Sequence, residues 1–246
     1  MNNFDTCAQW VLDQKQENNP RVLDYGCGAG RIVIELRKKG VNAFGCDVFY
    51  DGGDYSKVID DSLFENSIIR RMEGDTIPFE TASFDFVINK MVMEHVENLD
   101  SVLSEIHRVL KPGGMVLSVF PDKGVWYEGH CGIPFLHWFP KGERSRVYYA
   151  LLWRFLGVGY FKGNKSRLRW CQDICKWLDE WTHYRTYQET HTTYAKYFKD
   201  IWHIEDYWFR QRLDSHKIIT NYTPALLQRL VVRKLSTMVF VVRKQI

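Results

Sequence analysis

Three glycines at alternate positions behind an acid, Asp24-Tyr25-Gly26-Cys27-Gly28-Ala29-Gly30, constrain the fold of this chain more than any other feature. The apolar pair Val22-Leu23 precedes them, and a helical pattern, Ile32-Val33-Ile34-Glu35-Leu36-Arg37, follows. Glycine lets a strand turn sharply into a helix and lets backbone N–H groups approach a ligand with no Cβ in the way. The spacing departs from the dinucleotide fingerprint G-x-G-x-x-G. Arg31 stands where Gly26 and Gly28 would require a third glycine, and Val33 where Gly28 and Gly30 would require one.

The surrounding pattern alternates strands with helices, which implies a parallel sheet. Strands are predicted over 21–25, 42–46, 67–72, 84–89 and 115–120, and helices over 4–17, 29–39 and 99–110. Asn18-Asn19-Pro20 ends the first helix, Gly40 caps the second, and Lys111-Pro112-Gly113-Gly114 turns the third into a strand. After residue 122 the alternation stops for some 70 residues, in which aromatic side chains crowd together. It returns with a helix over 190–198, a strand over 202–207, a helix over 224–234 and a last strand over 236–242. Residues 1–122 and 190–246 therefore read as a core and its completion, with 123–189 inserted. A chain of 246 residues, 45% hydrophobic, can bury one substantial core.

Four signals fall in order within residues 20–120: the glycine loop, Asp47 at the end of the second strand, Gly74-Asp75-Thr76-Ile77-Pro78-Phe79 with Ser83-Phe84-Asp85-Phe86-Val87, and Met93-Glu94-His95-Val96 with Arg108-Val109-Leu110-Lys111-Pro112-Gly113-Gly114. Together they resemble the class I S-adenosylmethionine (SAM) methyltransferases of the small-molecule type. The resemblance implies an α/β fold, a Rossmann-like seven-stranded and mostly parallel sheet with helices on both faces, here with a helical insertion after strand five. It implies SAM as cofactor, wrapped by Asp24, Gly26, Cys27, Gly28 and Gly30. Asp47, beside Val48, is placed to accept both ribose hydroxyls. In this family the acid at Asp75 faces the adenine amino group, and the Thr76 backbone N–H meets a ring nitrogen. Asn89 is expected where strand four exits toward the cofactor.

Departures from the family narrow the chemistry. Asn89-Lys90-Met91-Val92 replaces the D/N-P-P-Y motif of enzymes that methylate exocyclic amines. Some relatives bind a metal through E-x-x-E-H, but Met91 stands at the first acid, so no metal is expected. His95 is expected to pack beside the cofactor. Asp122, Glu128, His130, Cys131 and His137 follow strand five, where such enzymes place acceptor-facing groups. A hydroxyl acceptor benefits from a general base, and histidine is tuned for that near neutral pH. His130 is the first candidate and His137 the second.

Net charge is +3, but residues 141–170 alone carry +7. Within them, Tyr148 to Phe161 is apolar nearly all round, as expected of a lid helix or of a helix lying in a bilayer interface. The expected acceptor is a hydroxyl on a small molecule, a glycan or a lipid-linked intermediate. Carbon or nitrogen methylation, or a catalytically silent SAM-fold scaffold at a membrane, are the rivals. Peripheral contact with an anionic membrane fits the charge, whereas no recognised RNA module accompanies it, so a nucleic-acid partner is not expected. Six cysteines without C-x-x-C pairing, a polar N-terminus and the lack of any long apolar run suggest a reducing, cytoplasmic setting.

Overall fold

The computed structural model describes residues 3–14, 19–50, 52–53 and 55–246. The central sheet is built from β1 (Arg21–Tyr25), β2 (Asn42–Asp47), β3 (Ile69–Arg71), β4 (Phe84–Lys90), β5 (Leu110–Phe120), β8 (Asp200–His203) and β9 (Met238–Arg243). Its order is β3-β2-β1-β4-β5-β9-β8. Strands β1 to β5 pair in parallel, and β9 runs against both of its neighbours. The order reverses beside β1, which pairs with β2 on one side and β4 on the other. Ligands bind at such a switch point, outside the carboxyl ends of the strands.

Sheet residues alternate between two apolar layers, which is why the strands read as near-continuous hydrophobic runs. Val22, Phe86, Leu117 and Val241 face α1 (Asn3–Asp13), α2 (Arg31–Lys38), α8 (Glu205–Arg212) and α10 (Ala225–Leu235). Leu23, Val87, Val116 and Phe240 face α4 (Leu99–Val109) and α7 (Tyr187–Tyr194). The short α3 (Asp61–Glu65) leads into β3, and α9 (Lys217–Tyr222) lies between α8 and α10.

Between β5 and α7 the chain forms the hairpin β6 (Tyr127–Glu128) and β7 (Ile133–Pro134), then α5 (Arg144–Phe155) and α6 (Arg167–Trp181). These elements enclose a third apolar cluster around Cys131, Leu136, Ala150, Trp170, Cys171 and Leu178.

Several expected boundaries move. The first helix ends at Asp13, and residues 15–17 of the expected 4–17 lie outside the described residues. The helix expected from residue 190 starts at Tyr187, because Thr186 and Glu189 form a reciprocal capping box. The 189/190 domain junction thus falls inside α7. The strand expected over 202–207 stops at His203, and α8 begins at Glu205, burying Trp208 and Phe209. Helix α5 ends at Phe155, short of the apolar run's end at Phe161, and only Arg146 and Ala150 on it are fully buried.

Candidate active site at the carboxyl edge of the sheet

The glycine loop leaves β1 and crosses to α2. Gly26 adopts φ +70°, and a Cβ there would lie 2.4 Å from a Val92 methyl, so the loop backbone rests directly on the segment after β4. Gly30, also left-handed, precedes α2 with no side chain capping it, which leaves the positive end of the helix facing the loop. Asp47 ends β2 and fixes this arrangement. One carboxylate oxygen accepts from Gly28 N–H and the other from Phe49 N–H, both at 2.8 Å. A carboxylate offers about four lone-pair positions, so it retains capacity for ribose hydroxyls. Burial raises the Asp47 pKa, against those backbone bonds.

Three other loop N–H groups are committed. Cys46 carbonyl accepts from both Gly26 and Cys27 N–H, and Gly30 N–H returns to Cys27 carbonyl. Cys27 is buried against Gly45, and burial pushes its thiol well up, so it shapes the loop instead of reacting. Asp24 is buried in the layer under α1, where Lys90 is its main opposing charge, and burial raises its carboxyl to about 8.

Past β4 the chain turns at Met91, a non-glycine residue at φ +55°. Such a backbone costs about 1–2 kcal/mol and is held by Met91 N–H to Val119 carbonyl at 2.7 Å. The turn delivers Glu94 and His95. Arg185 binds this segment from outside, donating to the carbonyls of Met93, Val96 and Glu97, while His183 N–H binds Glu94 carbonyl. The insertion closes over the same place. Trp177 donates to Gly52 carbonyl, and the Tyr50 ring lies 5.0 Å from Trp181 and 5.9 Å from His95.

His130, from the turn of the β6–β7 hairpin, meets His95 here, their Nε2 atoms 3.3 Å apart. His130 Nδ1 lies 2.7 Å from Glu128 Oε1, which also accepts from Tyr184 at 2.7 Å. Burial opposes the Glu128 charge, but His130, Tyr184 and the Cys131 side chain together hold its pKa down to about 2. Burial likewise opposes charge on His130, and Glu128 outweighs it, leaving the imidazole pKa raised. His95 Nδ1 faces Trp181 carbonyl at 2.6 Å, so that nitrogen carries the proton. Burial drives the His95 pKa down to about 4, keeping the ring neutral. Burial raises Glu94 to about 7.

The structure therefore brings His130 together with His95, which faces the ring of Tyr50, three residues beyond Asp47. Asp75 lies at this edge too, close enough to Tyr25 to bear on its hydroxyl alongside Asp47. Thr76 is exposed, and its N–H makes a 3.3 Å bond to Glu73 carbonyl, so the expected contact to adenine would have to replace that bond. Val48 is partly exposed, and its carbonyl accepts from Arg71. Asn89 is fully buried and donates to Ser118 Oγ, which also meets Tyr194 hydroxyl, while its own Oδ1 has no hydrogen-bond partner among the described residues. His137 is buried against the Tyr184 ring, 4.7 Å between centroids, one layer behind His130. Asp122 holds a turn through Gly124 N–H. Tyr184 was not singled out in the sequence; it lies 54 residues from His130, and no local pattern connects them.

Residues 23–118 match a family model described as a methyltransferase domain. A sterol 4-C-methyltransferase of Caenorhabditis elegans is 30% identical over 98 residues, covering 39% of this chain and 29% of that protein. A ubiquinone biosynthesis O-methyltransferase of Bartonella tribocorum is 25% identical over 134 residues, covering 52% of this chain and 53% of that protein. The chain thus spans about half or less of the length of these relatives. Among solved structures, an S-adenosylmethionine-dependent methyltransferase from Mesorhizobium loti aligns with a TM-score of 0.55 at 15% identity, covering 98% of this chain and 100% of that one. That likeness is one of fold.

Proposed function

Because residues 23–118 are a methyltransferase domain of the class I, SAM-dependent fold, we propose that this chain transfers the methyl group of SAM to a hydroxyl of a small-molecule acceptor. One observation carries the reading. Tyr50, three residues beyond the loop-binding Asp47, faces the His95 ring, and His95 meets His130 in an imidazole pair beneath the insertion. In the reaction, an acceptor lone pair attacks the methyl carbon in line with the C–S bond. The bonding pair leaves with sulfur, giving S-adenosylhomocysteine, and the acceptor loses its proton. The protein's part is alignment and management of that proton. A neutral amine is nucleophilic enough unaided, whereas a hydroxyl, which also carries lone pairs, attacks poorly until its proton is taken, and the imidazole pair is the group to take it. His130 is the group toward the acceptor, and His137 supports it through Tyr184. Isotope-labelled SAM incubated with fractionated cell extract tests this. A product carrying the label on oxygen is expected; label on nitrogen or carbon overturns the hydroxyl, and no SAM binding by calorimetry overturns the activity.

We place the acceptor's approach along α5. Tyr148, Leu152 and Phe155 on this helix, and Leu156 just past its end, are 59 to 69% exposed, within the segment that carries +7. A contiguous apolar ridge of this kind marks a contact surface, and the surrounding charge suits an anionic lipid surface, at about 1 kcal/mol per basic residue. No helix among the described residues is long and apolar enough to cross a membrane. Sedimentation with anionic vesicles, weakened by salt and lost in Leu152→Asp/Phe155→Asp, is the expected result. No sedimentation at low ionic strength would assign the ridge to a protein contact.

A further inference from the structure

Glu94, His95 and His130 each offer a donor atom within 4.8 Å of the other two. Both Glu94 oxygens are buried without a hydrogen-bond partner among the described residues. Such a carboxylate is costly to leave alone. The two imidazoles are oriented from behind. His95 Nδ1 is bound to Trp181 carbonyl and His130 Nδ1 to Glu128, so both rings turn their Nε2 atoms inward. Metal-binding histidines are held in this way, with the outer ring nitrogen donating to a carbonyl or a carboxylate. The 3.3 Å between the Nε2 atoms also fits. Metal–nitrogen bonds of about 2.0–2.1 Å at a tetrahedral centre separate two ligands by about 3.3–3.4 Å.

The geometry points to a divalent-cation site formed by Glu94, His95 and His130, with a fourth position open to the acceptor. Two imidazoles and one carboxylate suit zinc or a neighbouring first-row ion better than magnesium or calcium. Both histidines are partly exposed, which gives the ion a way in. The inference rests on the methyl-transfer reading. With the acceptor oxygen at the open position, such an ion would lower its pKa so that the proton passes to solvent, and the oxygen would then bond to the methyl carbon as the C–S pair leaves on sulfur, with no change of oxidation state. With an ion bound, His130 serves as a ligand in place of the proton acceptor described above, and Met91 at the expected first acid does not prevent binding, because the third ligand comes from the insertion.

The test is titration of chelator-treated full-length protein with Zn²⁺ by calorimetry and with Co²⁺ by visible absorption. One equivalent is expected to bind. Binding weakens at least 100-fold in His95→Ala and in Glu94→Gln, which preserves side-chain size should the alanine variant not fold. Glu128→Gln, which alters the outer partner of His130, weakens binding about 10–100-fold. The second histidine pair, His191 and His203 at 2.7 Å, is the control, and His191→Ala leaves the equivalent in place. No one-to-one binding, or binding lost only with His191, overturns the site and leaves His130 as a proton acceptor. S-adenosylhomocysteine binding by the metal-free protein is measured in the same preparations. Its loss counts against the methyltransferase reading and its retention leaves that reading standing, whatever the metal titration gives.

Discussion

Gly26→Ala tests the claim that the cofactor loop is seated on Val92. The alanine must hold φ +70° and bring its Cβ to 2.4 and 2.7 Å from the two Val92 methyls. The backbone costs about 1–2 kcal/mol, and forcing a methyl into occupied space adds about 1–3 kcal/mol, so the total is about 2–5 kcal/mol. For a chain of this size that corresponds to a fall in melting temperature of roughly 4–20 °C. The strain is relieved only by lifting the loop from Asp47, so calorimetry is expected to show weaker S-adenosylhomocysteine binding as well. Val92→Ala in the same chain removes both clashing methyls and leaves the Val92 Cβ at 3.1 Å. It should return the packing part and leave the backbone part. A single variant that melts and binds like wild type, or a double variant no better than the single, refutes the reasoning.

Asp47→Ala leaves Gly28 and Phe49 N–H without their acceptor; calorimetry should show SAM binding weakened by about 1–3 kcal/mol, and an unchanged affinity would move the ribose contact elsewhere. The Asp24 carboxyl titrates near 3.8 when unfolded and is raised to about 8 by burial when folded. The folded state therefore holds more protons between those values, and cofactor-free stability falls as pH rises across them; Asp24→Asn should flatten that part of the melting profile. Tyr184→Phe removes a 2.7 Å bond to ionised Glu128 and should cost about 1.5–3 kcal/mol in denaturant titration. His130→Ala should lower turnover on the order of 10²–10⁴-fold with SAM affinity unchanged; lost stability with turnover intact would make His130 structural.

The cofactor half was legible because its determinants are local. A left-handed glycine, an acid closing a strand and a K-P-G-G turn each act within a few residues. The acceptor half is not local. Glu94, His95, Glu128, His130, Trp181 and Tyr184 come from three separate stretches and meet only because the insertion folds back onto the turn after β4. Trp202 to Tyr207 reads as a strand where the strand–helix rhythm returns, yet the burial of Trp208 and Phe209 decides for a helix from Glu205. The run from Tyr148 to Phe161 reads as apolar nearly all round, but its helix lies on the insertion's own small core and exposes the other side.

That small core shares no residue with the two layers on the sheet. Cooperativity in a protein follows its apolar contacts, and a cluster with its own centre can open as a separate unit. Heating this chain should then separate two losses that a one-core enzyme suffers together. The cap over the imidazoles opens first, at a temperature where the glycine loop still holds its ligand. Arg185 and the bond from His183 to Glu94 carbonyl tie that opening to the turn carrying His95. Inactivation by heat thus begins as the dismantling of the acceptor side, reversible for as long as the sheet remains folded beneath it.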